Sequence, residues 1–176
     1  MFEIKQDNYK RKIFYVDLNP EINSTQTVKE DQIQANLLKP EVWDNTLQKA
    51  DKYLGKSEIG TLILGSALNL LFFSKTYKNG ILNKIKKILK NNQNYVFSVS
   101  NNVFQEDIKQ LENAADNLIF ARTERPMRLH MRIERMKDVI FNKQEIEVPL
   151  SEHELRNLRT EAEQARKHLI PLISKI

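Results

Sequence analysis

Apolar and polar positions divide the chain into short segments, with the stretch Gly60 to Phe73 at their centre. Its first half, Thr61-Leu62-Ile63-Leu64, is a continuous apolar run, which is how a strand buried on both faces of a parallel sheet reads. Two later runs share that pattern, Tyr95-Val96-Phe97-Ser98-Val99 and Leu118-Ile119-Phe120-Ala121. Upstream, Lys12 to Leu18 combines β-branched and aromatic residues and stops at Asn19-Pro20, which predicts a strand. Met1 to Ile4 is a candidate short strand before it. From Glu21 to Gln34 the composition turns polar, with Asn23, Ser24, Thr25 and Thr27, and predicts a loop or a short helix.

Helical spacing fills the intervals. Pro40 suits the first position of a helix, and Trp43, Leu47, Ala50 and Leu54 follow on one face, with Gly55 placed for a left-handed C-terminal cap. After the central strand come one or two helices broken near Ser74 to Gly80. Ile81, Leu82, Ile85, Ile88 and Leu89 form the apolar face, while Lys84, Lys86, Lys87 and Lys90 face outward. Asn101 or Asn102 can cap a third helix whose inner face is Phe104, Ile108, Leu111 and Ala115. This rhythm of strand and helix predicts an α/β fold, a mainly parallel sheet flanked by helices and joined by right-handed crossovers.

The pattern changes near Pro126. Met127 to Glu134 alternates strictly between apolar and polar residues, as an antiparallel strand with one wet face does. Glu145 to Val148 predicts another short strand, ended by Pro149. In the last element Ser151 and Glu154 match a capping box. Leu155, Leu158, Ala162, Ala165, Leu169 and Leu172 then alternate spacings of three and four, a heptad seam. Residues 1–150 therefore read as the α/β domain, and residues 151–176 as an amphipathic helix that packs on that domain or on a partner.

Composition narrows the chemistry. The chain has 176 residues, 40% hydrophobic and 29% charged, enough for one domain with a core of its own. It has no cysteine, so disulfides, thiolate metal sites and cysteine nucleophiles are excluded. Met1-Phe2-Glu3-Ile4-Lys5 lacks the apolar core of a signal peptide, and the run from Leu62 to Phe73 is too short and too interrupted to span a bilayer. A cytoplasmic protein with no membrane partner is expected. The net charge of +5 permits nucleic acid or acidic partners without requiring them.

Candidate catalytic motifs fail on their context. Gly55-Lys56-Ser57 has the ending of a phosphate-binding loop, but the loop's first glycine would fall at Ala50, and here a helix precedes and a strand follows. The three histidines, His130, His153 and His168, show no metal-ligand spacing. Ser66 lacks the flanking glycines of a nucleophile elbow. Glu106 and Asp107 suit the start of a helix, where carboxylates favour the dipole. In many nucleotide-handling α/β folds an acid at the carboxyl end of the central strand holds a magnesium ion. Gly65 and Ser66 occupy that place, and a glycine supplies no charge to a metal. No catalytic, cofactor-binding or metal residue is assigned.

Basic residues gather at Arg122, Arg125, Arg128, Arg132, Arg135 and Lys137, and on the alternating strand Arg128, His130 and Arg132 share a face. This face can meet phosphates or an acidic surface. Glu124 and Glu134 can equally balance it, and no aromatic residues are interleaved as a platform for stacked bases.

In its order of elements the chain resembles the later two-thirds of the RecA-like ATPase core, in the KaiC-like branch. Leu62-Ile63-Leu64-Gly65-Ser66-Ala67-Leu68-Asn69-Leu70-Leu71 is similar to a strand that in the family ends in Asp-Ser before a leucine-rich helix start. Tyr95 to Val99, and Ala115-Asp116 before Leu118-Ile119, are similar to the later core. Glu134-Arg135-Met136-Lys137-Asp138 resembles the family's basic hairpin, which reaches a nucleotide on the next subunit of a ring. The resemblance covers about residues 12 to 149. It implies a degenerate module: the phosphate-binding loop would lie before this chain begins, Gly65 replaces the metal-holding aspartate, and Asp138 replaces the hairpin's glycine.

Two functions follow as expectations. The first is a non-catalytic RecA/KaiC-like interaction or scaffold subunit without cofactors, which self-associates or pairs with a related ATPase. Its contacts would be Lys84, Lys87, Arg128, Arg132, Arg135 and Lys137, and the helix face Leu155, Leu158, Ala162, Ala165 and Leu169. The alternative is a nucleic-acid-binding protein that uses the basic strand Arg128 to Lys137 and the lysine face Lys84 to Lys90. An enzyme whose site the sequence does not advertise is a third, weaker reading.

Overall fold

The computed structural model describes residues 10–56, 58, 60–66, 68–90, 94–100, 102–125 and 128–176. The expected strand Met1 to Ile4, and Asn101, lie outside them. The first sheet joins β1 (Tyr15–Leu18), β2 (Thr25–Lys29) and β3 (Gln32–Ala35) in the order β1-β3-β2, with β1 parallel and β2 antiparallel to β3. The loop or short helix expected over Glu21 to Gln34 is thus a hairpin. Thr25, Thr27 and Val28 are β-formers among polar neighbours, and the ladder to β1 satisfies β3's other edge, a long-range pairing that local polarity conceals.

Helix α1 (Pro40–Leu54) begins with proline and ends at Gly55, whose N–H donates to the Asp51 carbonyl at 2.9 Å. Gly55 has φ 76° and ψ −172°, an extended positive-φ state rather than the expected left-handed one, and open to glycine alone. β4 (Leu62–Gly65) pairs in parallel with β5 (Asn94–Phe97), residue 62 against 94 through residue 65 against 97. Between them run a 3-10 helix (Leu68–Phe73) and α2 (Lys78–Leu89). α3 (Gln105–Ala114) follows β5. Its N-cap is Phe104, at φ 57°, and not Asn102; the Phe104 ring packs edge-on against Phe72 and Phe73.

The third sheet is antiparallel, with β7 (Arg128–Arg135) between β6 (Leu118–Glu124) and β8 (Ile146–Val148). Leu118 to Ala121 therefore does not extend a parallel sheet; it pairs antiparallel with β7. α4 (Glu152–Ile173) closes the chain behind the capping box, in which Ser151 Oγ accepts from the Glu154 N–H and the Glu154 carboxylate accepts from the Ser151 N–H. The architecture is mixed α/β with antiparallel strands and a helix at the C-terminal end. Among the described residues parallel pairing is confined to β1–β3 and β4–β5.

The core is helical. Leu70, Leu71 and Phe72 of the 3-10 helix meet Trp43, Ile81, Leu82, Ile85, Ile88, Ile108, Leu111 and Ile173 in one cluster, to which Leu18, Tyr95 and Phe97 add from the strands. Removing such side chains from water is the main stabilising term, about 1.5–3 kcal/mol for each one fully buried. Gly80 lets α2 pass close to the start of α1, where a β-carbon would stand 3.0 Å from Pro40 Cγ and the proline ring would have to give. No helix among the described residues is long and apolar enough to cross a membrane.

Candidate functional site

The carboxyl end of β4, where the resemblance places a metal-holding acid, is filled. Gly65 pairs with Phe97, and a β-carbon on Gly65 would lie 2.8 Å from Phe97 Cδ1 and 3.2 Å from Leu68 Cδ2. The backbone closes over the same place: Ser98 N–H donates to the Gly65 carbonyl at 2.8 Å, and Leu68 N–H to the Ser98 carbonyl at 3.2 Å. Buried Asn69 accepts from the Ser100 N–H at 3.1 Å and pins the 3-10 helix across the strand ends. Among the described residues no group of three His, Asp or Glu side chains is placed to hold a metal ion.

The expected basic strand is in place on β7, but its charge is neutralised locally. Cross-strand pairing sets Glu124, Arg122 and Phe120 of β6 against Arg128, His130 and Arg132. Arg122 forms a fork with Glu145, with Nε donating at 2.9 Å, and also reaches Glu124 at 3.2 Å. Arg128 pairs with Glu147 at 3.6 Å, and Arg132 pairs with Glu134 at 3.1 Å while lying over the Phe120 ring. His130 Nε2 is 3.3 Å from Glu124 and Nδ1 is 3.8 Å from Glu145; buried Nε2 makes no aligned hydrogen bond. The hydrogen bonds from Arg122 hold the Glu145 carboxyl below the usual range, and the same contacts raise the Arg122 guanidinium. Three arginines thus face four carboxylates, an ion-pair lattice with little free positive charge.

Arg135 and Lys137 serve the fold as well. Arg135 Nη2 donates to the carbonyls of Glu112 and Ala115, closing the C-terminus of α3. Lys137 pairs with Asp116 at 3.3 Å, and its N–H donates to Asn117 Oδ1. The lysine face of α2 is likewise divided: Lys84 is bound to Asp44 at 2.6 Å, Lys86 donates to Gln110, and Lys87 is exposed with no partner among the described residues.

Helix α4 splits the expected interaction face. Leu155 is buried at one end, and Leu169, Ile170, Ile173 and Ile176 join the core at the other. Between them Leu158 is 55% exposed, and Ala162 and Ala165 are exposed as well. Half the seam belongs to the domain, and its middle is bare.

A second bare apolar surface was hidden in the sequence. Leu62 and Leu64 on β4 are 57% and 71% exposed, and Val96, which pairs with Leu64, is 56% exposed. The central strands are therefore covered on one face only, contrary to the burial expected of a continuous apolar run. Ile63 and Gly65 point to the protein side, and alternation sends Leu62 and Leu64 to the other.

One cleft also escaped the sequence. Arg11, Phe14, Thr27, Glu30, Ile33, Lys49, Lys52 and Tyr53 line an open cavity of about 350 Å³ between α1 and the first sheet. Its members come from three strands or strand edges and one helix, so no linear motif marks it. No protein-family model, curated protein or solved structure matches this chain.

Proposed function

We propose that the chain is a non-catalytic α/β module of RecA/KaiC-like ancestry that works by association, as an interaction or scaffold subunit. The observation that carries this reading is the bare middle of the α4 seam. A heptad stripe whose Leu158, Ala162 and Ala165 are exposed is the surface that an equivalent stripe covers in an isologous dimer. A second copy of this chain is the first partner to test, and a related ATPase subunit the next. The exposed Leu62, Leu64 and Val96 add an apolar surface of the kind that marks contact sites.

The non-catalytic part of the reading draws on the β4 end. Phe97 and Leu68 occupy the space an acidic side chain at residue 65 would need, and the backbone is bonded across it. ATP hydrolysis by the family's route is not expected. The nucleic-acid alternative loses ground on β7, because Arg128 and Arg132 are already paired with Glu147 and Glu134.

Sedimentation equilibrium of the intact chain and of Leu158→Glu tests the proposal. The parent should associate reversibly, and the variant should sediment as a monomer with the far-ultraviolet circular dichroism of the parent. A parent that is monomeric alone and remains so with cellular partners overturns it.

A further inference from the structure

We infer that the cleft between α1 and the first sheet binds a nucleotide, recognised as a flat amino-bearing base that carries phosphate. This inference stands apart from the association reading and uses none of the same residues.

The first ground is unspent charge. Lys49, Lys52 and Tyr53 lie three and four residues apart, on one face of the last turns of α1. Arg11, at φ 58°, turns the chain into β1 and gives its N–H to the Tyr53 hydroxyl at 3.2 Å. Among the described residues none of Arg11, Lys49 and Lys52 is in an ion pair, whereas Arg122 of β6 and Arg128 and Arg132 of β7 are each paired with a carboxylate. Lys49 is half-buried and donates to a neutral partner, Thr25 Oγ1, at 2.6 Å, which leaves its charge uncompensated. The C-terminus of α1 by itself favours a cation at Lys52, but not at Arg11 or Lys49.

The second ground is the walls. Phe14 and Tyr53 stand with ring centroids 5.6 Å apart, tilted by 43°, and buried Ile33 also lines the cavity. Aromatic rings bracketed by cations are what stacks a base and meets its phosphate. That combination, missing from the basic strand β7, is assembled here from residues distant in sequence. The Glu30 carboxylate accepts hydrogen bonds only, and the Thr27 hydroxyl donates or accepts, so the lining suits a base with an exocyclic amine. The volume of about 350 Å³ is at the lower end for small-molecule sites and suits one nucleotide unit. The cleft lies towards the amino ends of β1 and β3, and none of its residues belongs to the filled end of β4.

Free nucleotide and a nucleotide of a single strand share this chemistry. Calorimetric titration of the full chain with AMP, adenosine, inorganic phosphate and single-stranded oligo(dA) separates them. AMP should bind saturably and more weakly as salt rises, with adenosine and phosphate each far weaker. Phe14→Leu should weaken binding roughly tenfold, the worth of one stacked base. Lys52→Gln, at an exposed position that leaves the fold intact, should weaken it by up to about fivefold. Lys87→Gln on α2 should change nothing. Binding of oligo(dA) alone, with the same losses in Phe14→Leu and Lys52→Gln, would assign the site to a strand. The inference is overturned if neither AMP nor oligo(dA) binds, or if both variants bind as the parent does.

Discussion

Gly65 and Phe97 are cross-strand partners whose contact leaves no room for a side chain: a β-carbon on Gly65 would stand 2.8 Å and 3.1 Å from two atoms of the Phe97 ring. The ring is itself braced by Tyr95, with centroids 5.3 Å apart, so it cannot swing aside freely. Gly65→Ala should destabilise the protein by about 1–3 kcal/mol, as overpacking does. Phe97→Leu in the same chain should return part of that loss, a coupling of about 0.5–3 kcal/mol between touching residues. Urea unfolding of the two single variants and the double variant measures it. Additive losses would mean that Phe97 does not close the strand end.

Stability in acid should depend on the Arg122–Glu145 fork. Hydrogen bonds from Arg122 hold the Glu145 carboxyl below its usual 4.5 in the folded protein. A depressed folded value means that this contribution is present above the unfolded value and is lost as pH falls through the folded one. Glu154, bonded to Ser151, and Glu163, bonded to Arg159, shift in the same direction. Below the usual 4.5, the parent should therefore lose stability more steeply than Glu145→Gln. Urea midpoints followed into the acid range check this, and superimposable acid limbs would contradict it.

Arg135 ties β7 to the end of α3 through the carbonyls of Glu112 and Ala115. Arg135→Ala should cost about 1–2 kcal/mol, since charge-assisted hydrogen bonds to helix-end carbonyls are lost at an exposed site. Amide exchange should accelerate in the last turn of α3 and leave α4 unchanged. Unaltered exchange at Ala114 and Ala115 would return Arg135 to the pool of free contact residues.

The elements that were legible in the sequence are those whose signals are local. Pro40 and Gly55 bracket α1, Ser151 and Glu154 box the start of α4, and strict alternation marks β7. What escaped depends on partners far along the chain. A four-residue apolar run reads alike with one face covered or two, so Leu62 and Leu64 looked buried. β3 pairs with both β1 and β2, and nothing local in Gln32 to Ala35 announces either partner. The direction of β6 is set by its pairing with β7, not by its own residues. Of the proposed contact residues, Arg128, Arg132, Arg135, Lys137 and Lys84 proved to have acidic or backbone partners, because a linear count of charges does not show which carboxylates fold back onto them. The cleft at Phe14 and Tyr53 was illegible for the same reason, its aromatic and basic residues meeting only in space.

Light scattering coupled to size-exclusion chromatography, run with and without ATP and magnesium, tests the central claim most directly. A module that associates through α4 and has a filled β4 end should give a defined oligomer whose mass ignores ATP and magnesium and falls to the monomer in Leu158→Glu. A mass that changes with ATP and magnesium in Phe14→Leu as it does in the parent would contradict the account, because that response would not come from the cleft lined by Phe14 and would require a working nucleotide site at the place Phe97 occupies.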